Sequence, residues 1–264
     1  MNKATAIIVP CFNEEFRFPK AYWKKILQDG DNIKWVFVDD GSTDNTYKML
    51  KEVFNGTSAQ VVRLSQNVGK GNAIRIGFQR VLDQESEISV LGFIDSDGAF
   101  KKDEIFRIVD LMFEKWNDSI KKPMDAIIAS RVALSGRRIS RKTSRHYLGR
   151  IIATFITNKW TDSPYDTQCG FKLFSNSEAF TKSIKTEFKT RWFVDIEILT
   201  RLAILKKGNL SIWEEPLFFW KDVGESKIKK KHVLSILHDL FVARRQVLKL
   251  LKVRKMKSYV DAHD

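Results

Sequence analysis

The chain has 264 residues, 43% hydrophobic and 30% charged, with 19 Phe, 7 Trp and 5 Tyr against 13 Gly and 5 Pro, a balance that excludes intrinsic disorder and supplies a substantial core. No apolar run approaches the roughly 18 residues of a membrane-spanning helix, the N-terminal run Ala4–Val9 meets Asn13-Glu14-Glu15 too early for a signal peptide, and Cys11 and Cys169 make no disulfide framework. The net charge of +14 is concentrated, with +7 in residues 131–150 (seven basic, no acid) and +7 in 221–264 (twelve basic, five acidic), which implies two anion-facing surfaces rather than a uniformly basic coat.

In chain order the pattern predicts strand Ala4–Val9, helix Pro19–Gln28, strand Lys34–Asp39, and helix Thr43–Phe54 with Ser42 or Thr43 as its N-cap. Strand Gln60–Leu64, helix Gly71–Leu82, strand Val90–Ile94, helix Asp103–Trp116 and strand Ala126–Ala129 follow. Such alternation reads as an α/β, doubly wound, mostly parallel sheet with ligands at the carboxyl ends of its strands. Four polar strand ends should therefore share one rim: Pro10-Cys11-Phe12-Asn13-Glu14, Asp39-Asp40-Gly41-Ser42, Asp95-Ser96-Asp97 and Ser130-Arg131.

After residue 130 the rhythm breaks. A helix is expected around Arg145–Trp160, another around Val194–Lys207, and a strand around Leu210–Phe219. Fourteen aromatic residues between Tyr147 and Trp220 favour an aromatic-rich core over an apolar groove. The C-terminal segment 228–264 reads as a basic amphipathic helix, with Val233, Ile236, Leu237, Leu240, Phe241, Val247, Leu248 and Leu251 at helical spacing and Arg244, Arg245, Lys249 and Lys252 on other faces. Such a helix can lie among anionic headgroups or pack on the domain.

Three segments carry chemistry. Asp95 and Asp97, two apart at a strand end, project to the same side and suit Mg2+ or Mn2+ held jointly with substrate phosphates. Asp39-Asp40-Gly41-Ser42 ends a buried strand in two acids, one of which could accept hydrogen bonds from a nucleobase or ribose. Asn67-Val68-Gly69-Lys70-Gly71-Asn72 puts two glycines and a lysine before a helix, where backbone N–H groups and Lys70 suit a diphosphate, although the Walker A spacing is missing.

Taken in order, Pro10-Cys11-Phe12-Asn13-Glu14-Glu15, Asp39-Asp40-Gly41-Ser42-Thr43-Asp44, Asn67-x-Gly69-Lys70-Gly71-Asn72-Ala73 and Asp95-Ser96-Asp97 resemble glycosyltransferase family 2. Ser130-Arg131, Asp166-Thr167-Gln168-Cys169-Gly170-Phe171-Lys172-Leu173-Phe174 and Glu215-Pro216 through Lys227 resemble its polyprenyl-phosphate (dolichyl-phosphate) hexosyltransferases, most nearly the dolichyl-phosphate beta-glucosyltransferases. The resemblance implies a GT-A fold over residues 1–227, with a nucleotide-sugar half (1–130) and an acceptor half (131–227), and an inverting transfer of hexose from a donor such as UDP-glucose to a polyprenyl phosphate. By the same resemblance Pro10, Asn13, Glu14 and Asp40 hold base and ribose, Lys70 and Asp95 lie by the donor phosphates, and Asp95 and Asp97 bind Mg2+ or Mn2+. Arg131, Arg145, Lys221 and Lys227 grip phosphate, and Asp166, or else Asp195 or Glu197, is the catalytic carboxylate.

A phosphate monoester with a second pKa of roughly 6 is already an anionic nucleophile at neutral pH, so positioning cations matter more than a base. Lys221 stands where many mannosyl members carry Arg, and it makes no bidentate contact. The expected setting is cytoplasmic and peripheral at the inner membrane face, through the anionic surface itself or a separate membrane protein. A family 2 enzyme acting on a saccharide hydroxyl is the alternative, and a non-catalytic binder of acidic polymers is a remote one. No nucleic-acid motif is present.

Overall fold

The computed structural model describes residues 4–28, 33–118, 124–140, 154–157, 160, 163–221, 223 and 233–260. In chain order these form β1 (Thr5–Cys11), α1 (Lys20–Leu27), β2 (Ile33–Asp39), α2 (Thr46–Val53), β3 (Gln60–Arg63), α3 (Lys70–Gln84), β4 (Val90–Ile94) and α4 (Lys102–Asp118). Then come β5 (Ala126–Ser130), β6 (Arg138–Ser140), β7 (Phe171–Ser175), α5 (Glu178–Ser183), α6 (Val194–Leu205), β8 (Ile212–Pro216), β9 (Phe219–Lys221) and α7 (Val233–Val260).

Seven strands make one sheet in the order β3-β2-β1-β4-β7-β5-β8. All neighbours are parallel except β7, which runs antiparallel to β4 and β5. The β-branched runs of β1, β2, β4 and β5 are almost wholly buried because helices cover both faces of the sheet. One apolar layer joins β1, β2 and β4 to α3, α6 and α7, through Ile8, Val36, Phe78, Phe93, Leu199 and Val247. On the other side Ile7, Phe37 and Ile94 meet α1, α2 and α4, through Trp23, Leu50 and Ile108. The aromatics of the second half are divided: Phe171, Phe174 and Phe180 are fully buried, with Phe174 stacked on Phe180, whereas Phe155, Tyr165, Trp213 and Phe218 are exposed.

Strand β7 was not among the expected elements. Nor was the break in the strand expected over Leu210–Phe219. There Leu217 N–H turns to donate to the Ser130 carbonyl (2.9 Å), and β9 leaves to pair with β6 in a separate two-stranded sheet. Of the helix expected over Arg145–Trp160, residues 154–157 are helical and most of the remainder lies outside the described residues.

Candidate active site

The carboxyl ends of β1, β2 and β4 are knitted together by their own loops. Asn13, held at φ 50°, donates its N–H to Ser42 Oγ (3.0 Å) and accepts the Thr43 N–H at Oδ1 (3.0 Å). Glu14 N–H donates to Thr46 Oγ1 (2.7 Å), and Glu14 Oε1 accepts Ser96 Oγ–H (3.2 Å). Ser42 and Thr43 therefore fasten the rim and do not cap α2. That helix begins at Thr46, whose N–H donates to Asp44 Oδ1 (3.0 Å). Gly41 is obligatory, since its φ is +63° and an added Cβ would sit 2.3 Å from the Gln66 carbonyl carbon.

Asp40 is buried and bonded to the loop before α3. Its oxygens accept Val68 N–H (2.8 Å), Gly69 N–H (3.0 Å) and Asn67 Nδ2–H (2.8 Å). Burial raises its pKa, against the lowering effect of those N–H groups. This corrects the expectation that the loop offers its backbone donors to a diphosphate: those of Val68 and Gly69 are already committed to Asp40. Lys70 itself opens α3 directly after this loop.

Lys70 Nζ lies 2.6 Å from Asp95 Oδ1, with both side chains more than one-third exposed. Desolvation opposes its charge, yet Asp95, then Asp195, then Asp97 raise its pKa. Asp97 follows at the same strand end, and its Oδ1 accepts Ala99 N–H (3.0 Å). Burial, with the negative charge of Asp95 added, pushes Asp97 up to about 6. Beneath these groups is the ring of Phe93, with Lys70 Nζ 5.8 Å and Lys172 Nζ 5.5 Å from its centroid. Gly170 closes the site from β7. Its carbonyl accepts Asp95 N–H (3.0 Å), and an added Cβ would lie 2.0 Å from Asp95 Oδ2.

The carboxylates expected as a catalytic base are each held by a cation. Asp166 makes a bidentate pair with Arg131, 2.7 Å to both Nε and NH2, and also accepts the Arg131 backbone N–H (2.9 Å). Arg131 and Asp166 were assigned separate tasks from sequence, whereas the structure makes them partners. Asp195 Oδ1 is 2.5 Å from the fully buried Lys172 Nζ. Glu197 is completely buried. It accepts N–H bonds from Lys189 (3.0 Å) and Thr190 (2.8 Å) and pairs with Arg201 (2.7 Å), so this candidate supports the 186–190 loop and offers nothing to the rim. Lys221 ends β9, exposed, while Arg145 and Lys227 lie outside the described residues.

The oxygen donors of Asp95 and Asp97 fit Mg2+ or Mn2+, which are commonly bound through one or two carboxylates plus substrate phosphates. Among the described residues no group of three or more His, Cys, Asp or Glu could hold a metal unaided. Two groups escaped the sequence reading. Lys172 donates to the Cys169 carbonyl (2.5 Å) as well as to Asp195, and its signal was a lysine inside the apolar run Phe171-Lys172-Leu173-Phe174. Arg191 donates from NH2 to Asn67 Oδ1 (2.6 Å). Its own N–H and that of Trp192 donate to Asp239 Oδ2 on α7 (2.6 and 2.9 Å).

The model of Glycosyl transferase family 2 matches residues 6–179. The dolichyl-phosphate beta-glucosyltransferase of Saccharomyces cerevisiae is 33% identical over 259 residues, covering 92% of this chain and 75% of that protein. The Homo sapiens dolichyl-phosphate beta-glucosyltransferase is 30% identical over 250 residues, covering 84% and 73%. Glucosyl-3-phosphoglycerate synthase from Mycobacterium tuberculosis, crystallised with Mn2+ and UDP-glucose, superposes with a TM-score of 0.60 at 16% identity, covering 92% of this chain and 79% of that one. The seven-stranded, mostly parallel sheet with flanking helices thus has the GT-A fold, as the sequence implied. With the four strand-end motifs on one rim and the matched region spanning β1 to α5, the chain belongs to glycosyl transferase family 2.

Proposed function

We propose that the chain is a metal-dependent, inverting hexosyltransferase that moves glucose from UDP-glucose to a polyprenyl phosphate, working at the cytoplasmic surface of a membrane. The carrying observation is the cluster Lys70–Asp95–Asp97, partly open at the end of β4. The donor and acceptor are those in the names of the yeast and human relatives. In the proposed complex Pro10, Asn13, Glu14 and Asp40 frame the nucleoside, with Asp40 also fixing the loop that presents Lys70 to the diphosphate. Asp95 and Asp97 would hold Mg2+ or Mn2+, which supplies neutralisation for the negative charge growing on the leaving diphosphate.

The reaction needs one displacement. A phosphate oxygen of the acceptor bonds to the anomeric carbon, the bond from that carbon to the UDP oxygen breaks, and an alpha-linked donor yields a beta-linked product. Arg131 (held by Asp166), Arg145, Lys221 and Lys227 position the acceptor phosphate. The pairing of Asp166, Asp195 and Glu197 with Arg131, Lys172 and Arg201 supports a phosphate acceptor over a saccharide hydroxyl, which would need an available base. The test is transfer of labelled glucose from UDP-glucose, with Mn2+, to a short-chain polyprenyl phosphate. Label entering an acid-labile lipid product is expected; label entering only hydroxyl acceptors would overturn the reading.

A further inference from the structure

The C-terminal helix has two apolar faces, and the domain uses only one. Ala243, Val247 and Leu250 are fully buried in the apolar layer that includes α6, with Ile236, Leu240 and Leu251 partly buried beside them. Leu237, Phe241, Leu248 and Met256, all on the opposite side at helical spacing, are exposed, Phe241 and Met256 to 71%. Phe155, 53% exposed, extends this patch. The Arg244 guanidinium lies 5.4 Å from its ring centroid and donates to its carbonyl (2.6 Å). Arg245, Lys249 and Lys252 are exposed among these side chains. The one acid of the helix, Asp239, is turned inward and 2% exposed.

We infer that this outward face of α7, with Phe155, is a docking surface for an anionic lipid bilayer. Long apolar side chains interleaved with cations and no acid match the boundary between acyl chains and anionic headgroups. The same distribution makes a second copy a poor occupant, because two such faces would bring cations together. A helix of 28 residues lying flat offers roughly 40 Å of contact. On its inward side the helix is tied to the loop that carries Lys70. Asp239, between Leu237 and Phe241, is bonded to the backbone of Arg191 and Trp192, and Arg191 reaches the Asn67 loop that precedes Lys70. The inference rests on the polyprenyl phosphate reading.

The test is flotation of the full chain with vesicles of phosphatidylcholine, alone or with about one-third phosphatidylglycerol. The wild type should bind the anionic vesicles, weakening as salt rises. Partitioning should fall about tenfold or more in Phe241→Ser with Leu248→Ser, and again in Arg245→Glu with Lys249→Glu and Lys252→Glu. Melting temperatures should be unchanged, as should transfer to a short-chain prenyl phosphate in detergent. Wild-type protein that ignores anionic vesicles, variants that bind as well as wild type, or a wild-type dimer that the variants dissociate in sedimentation velocity would each overturn the docking surface. Detergent transfer by the wild type reports separately on the underlying acceptor reading.

Discussion

Gly170→Ala isolates the geometry of Asp95 from its chemistry. An alanine Cβ would stand 2.0 Å from Asp95 Oδ2 and 2.4 Å from its Cγ, whereas a carbon–oxygen contact settles at roughly 3.3 Å. The carboxylate must retreat by about 1.3 Å, and Lys70, now 2.6 Å from Oδ1, loses its partner or follows it. Metal–ligand distances tolerate only about 0.2 Å, and a misplacement of about 1 Å can cost on the order of 100-fold in rate. The Asp95 side chain is partly exposed and its ion pair with Lys70 is open to solvent, so the fold should survive with its melting point within about 4 °C of wild type. The expected result is a kcat/KM near one-hundredth of wild type and loss of the Mn2+-dependent thermal shift given by UDP. A variant with normal UDP and Mn2+ stabilisation would refute the assignment of Asp95.

Three other perturbations separate chemistry from support. Asp97→Ala, with its structural bond to Ala99 N–H removed, should abolish transfer while the protein stays folded, as judged by near-UV circular dichroism; persistent turnover would remove the carboxylate pair from the reaction. Lys172→Met strands Asp195 in the core and should cost about 3–5 kcal/mol in urea unfolding, with part recovered in Lys172→Met/Asp195→Leu. Glu197 carries a lowered pKa, because the backbone N–H groups of Lys189 and Thr190 and the Gln246 side chain outweigh the opposing effect of burial. A depressed carboxylate contributes stability above its ordinary value of 4.5, and this is lost as pH falls through the lower folded value. The stabilities of wild type and Glu197→Ala in urea should therefore differ by about 3 kcal/mol at pH 7, and the gap should narrow as pH falls below 4.5 through the lower folded value; a gap that does not change with pH would contradict its role as an ionised support.

The strands of the first half were legible because each is a β-branched run ending in polar residues, and the parallel sheet buries such runs on both faces. Strand β7 was not, since Phe171-Lys172-Leu173-Phe174 contains a charge whose partner, Asp195, is 23 residues away and is brought to it only by tertiary folding. The same holds for Arg131 and Asp166, 35 residues apart, and for Asp40, whose bonds to Val68 and Gly69 cross 28 and 29 residues. Motifs showed which residues would gather on the rim, yet not which would neutralise one another there. In α7 apolar residues occur all round the helix, so periodicity alone could not distinguish Val247, which packs inward, from Leu248, which is exposed.

Calorimetric titration of UDP into wild type and Asp97→Ala, each with and without Mn2+, bears most directly on the carboxylate pair. UDP should bind wild type at least tenfold more tightly with Mn2+, a gain of about 1.4 kcal/mol, and that gain should vanish in the variant. An equal Mn2+ enhancement in both proteins would show that the ion is held elsewhere and that the end of β4 is not the donor site.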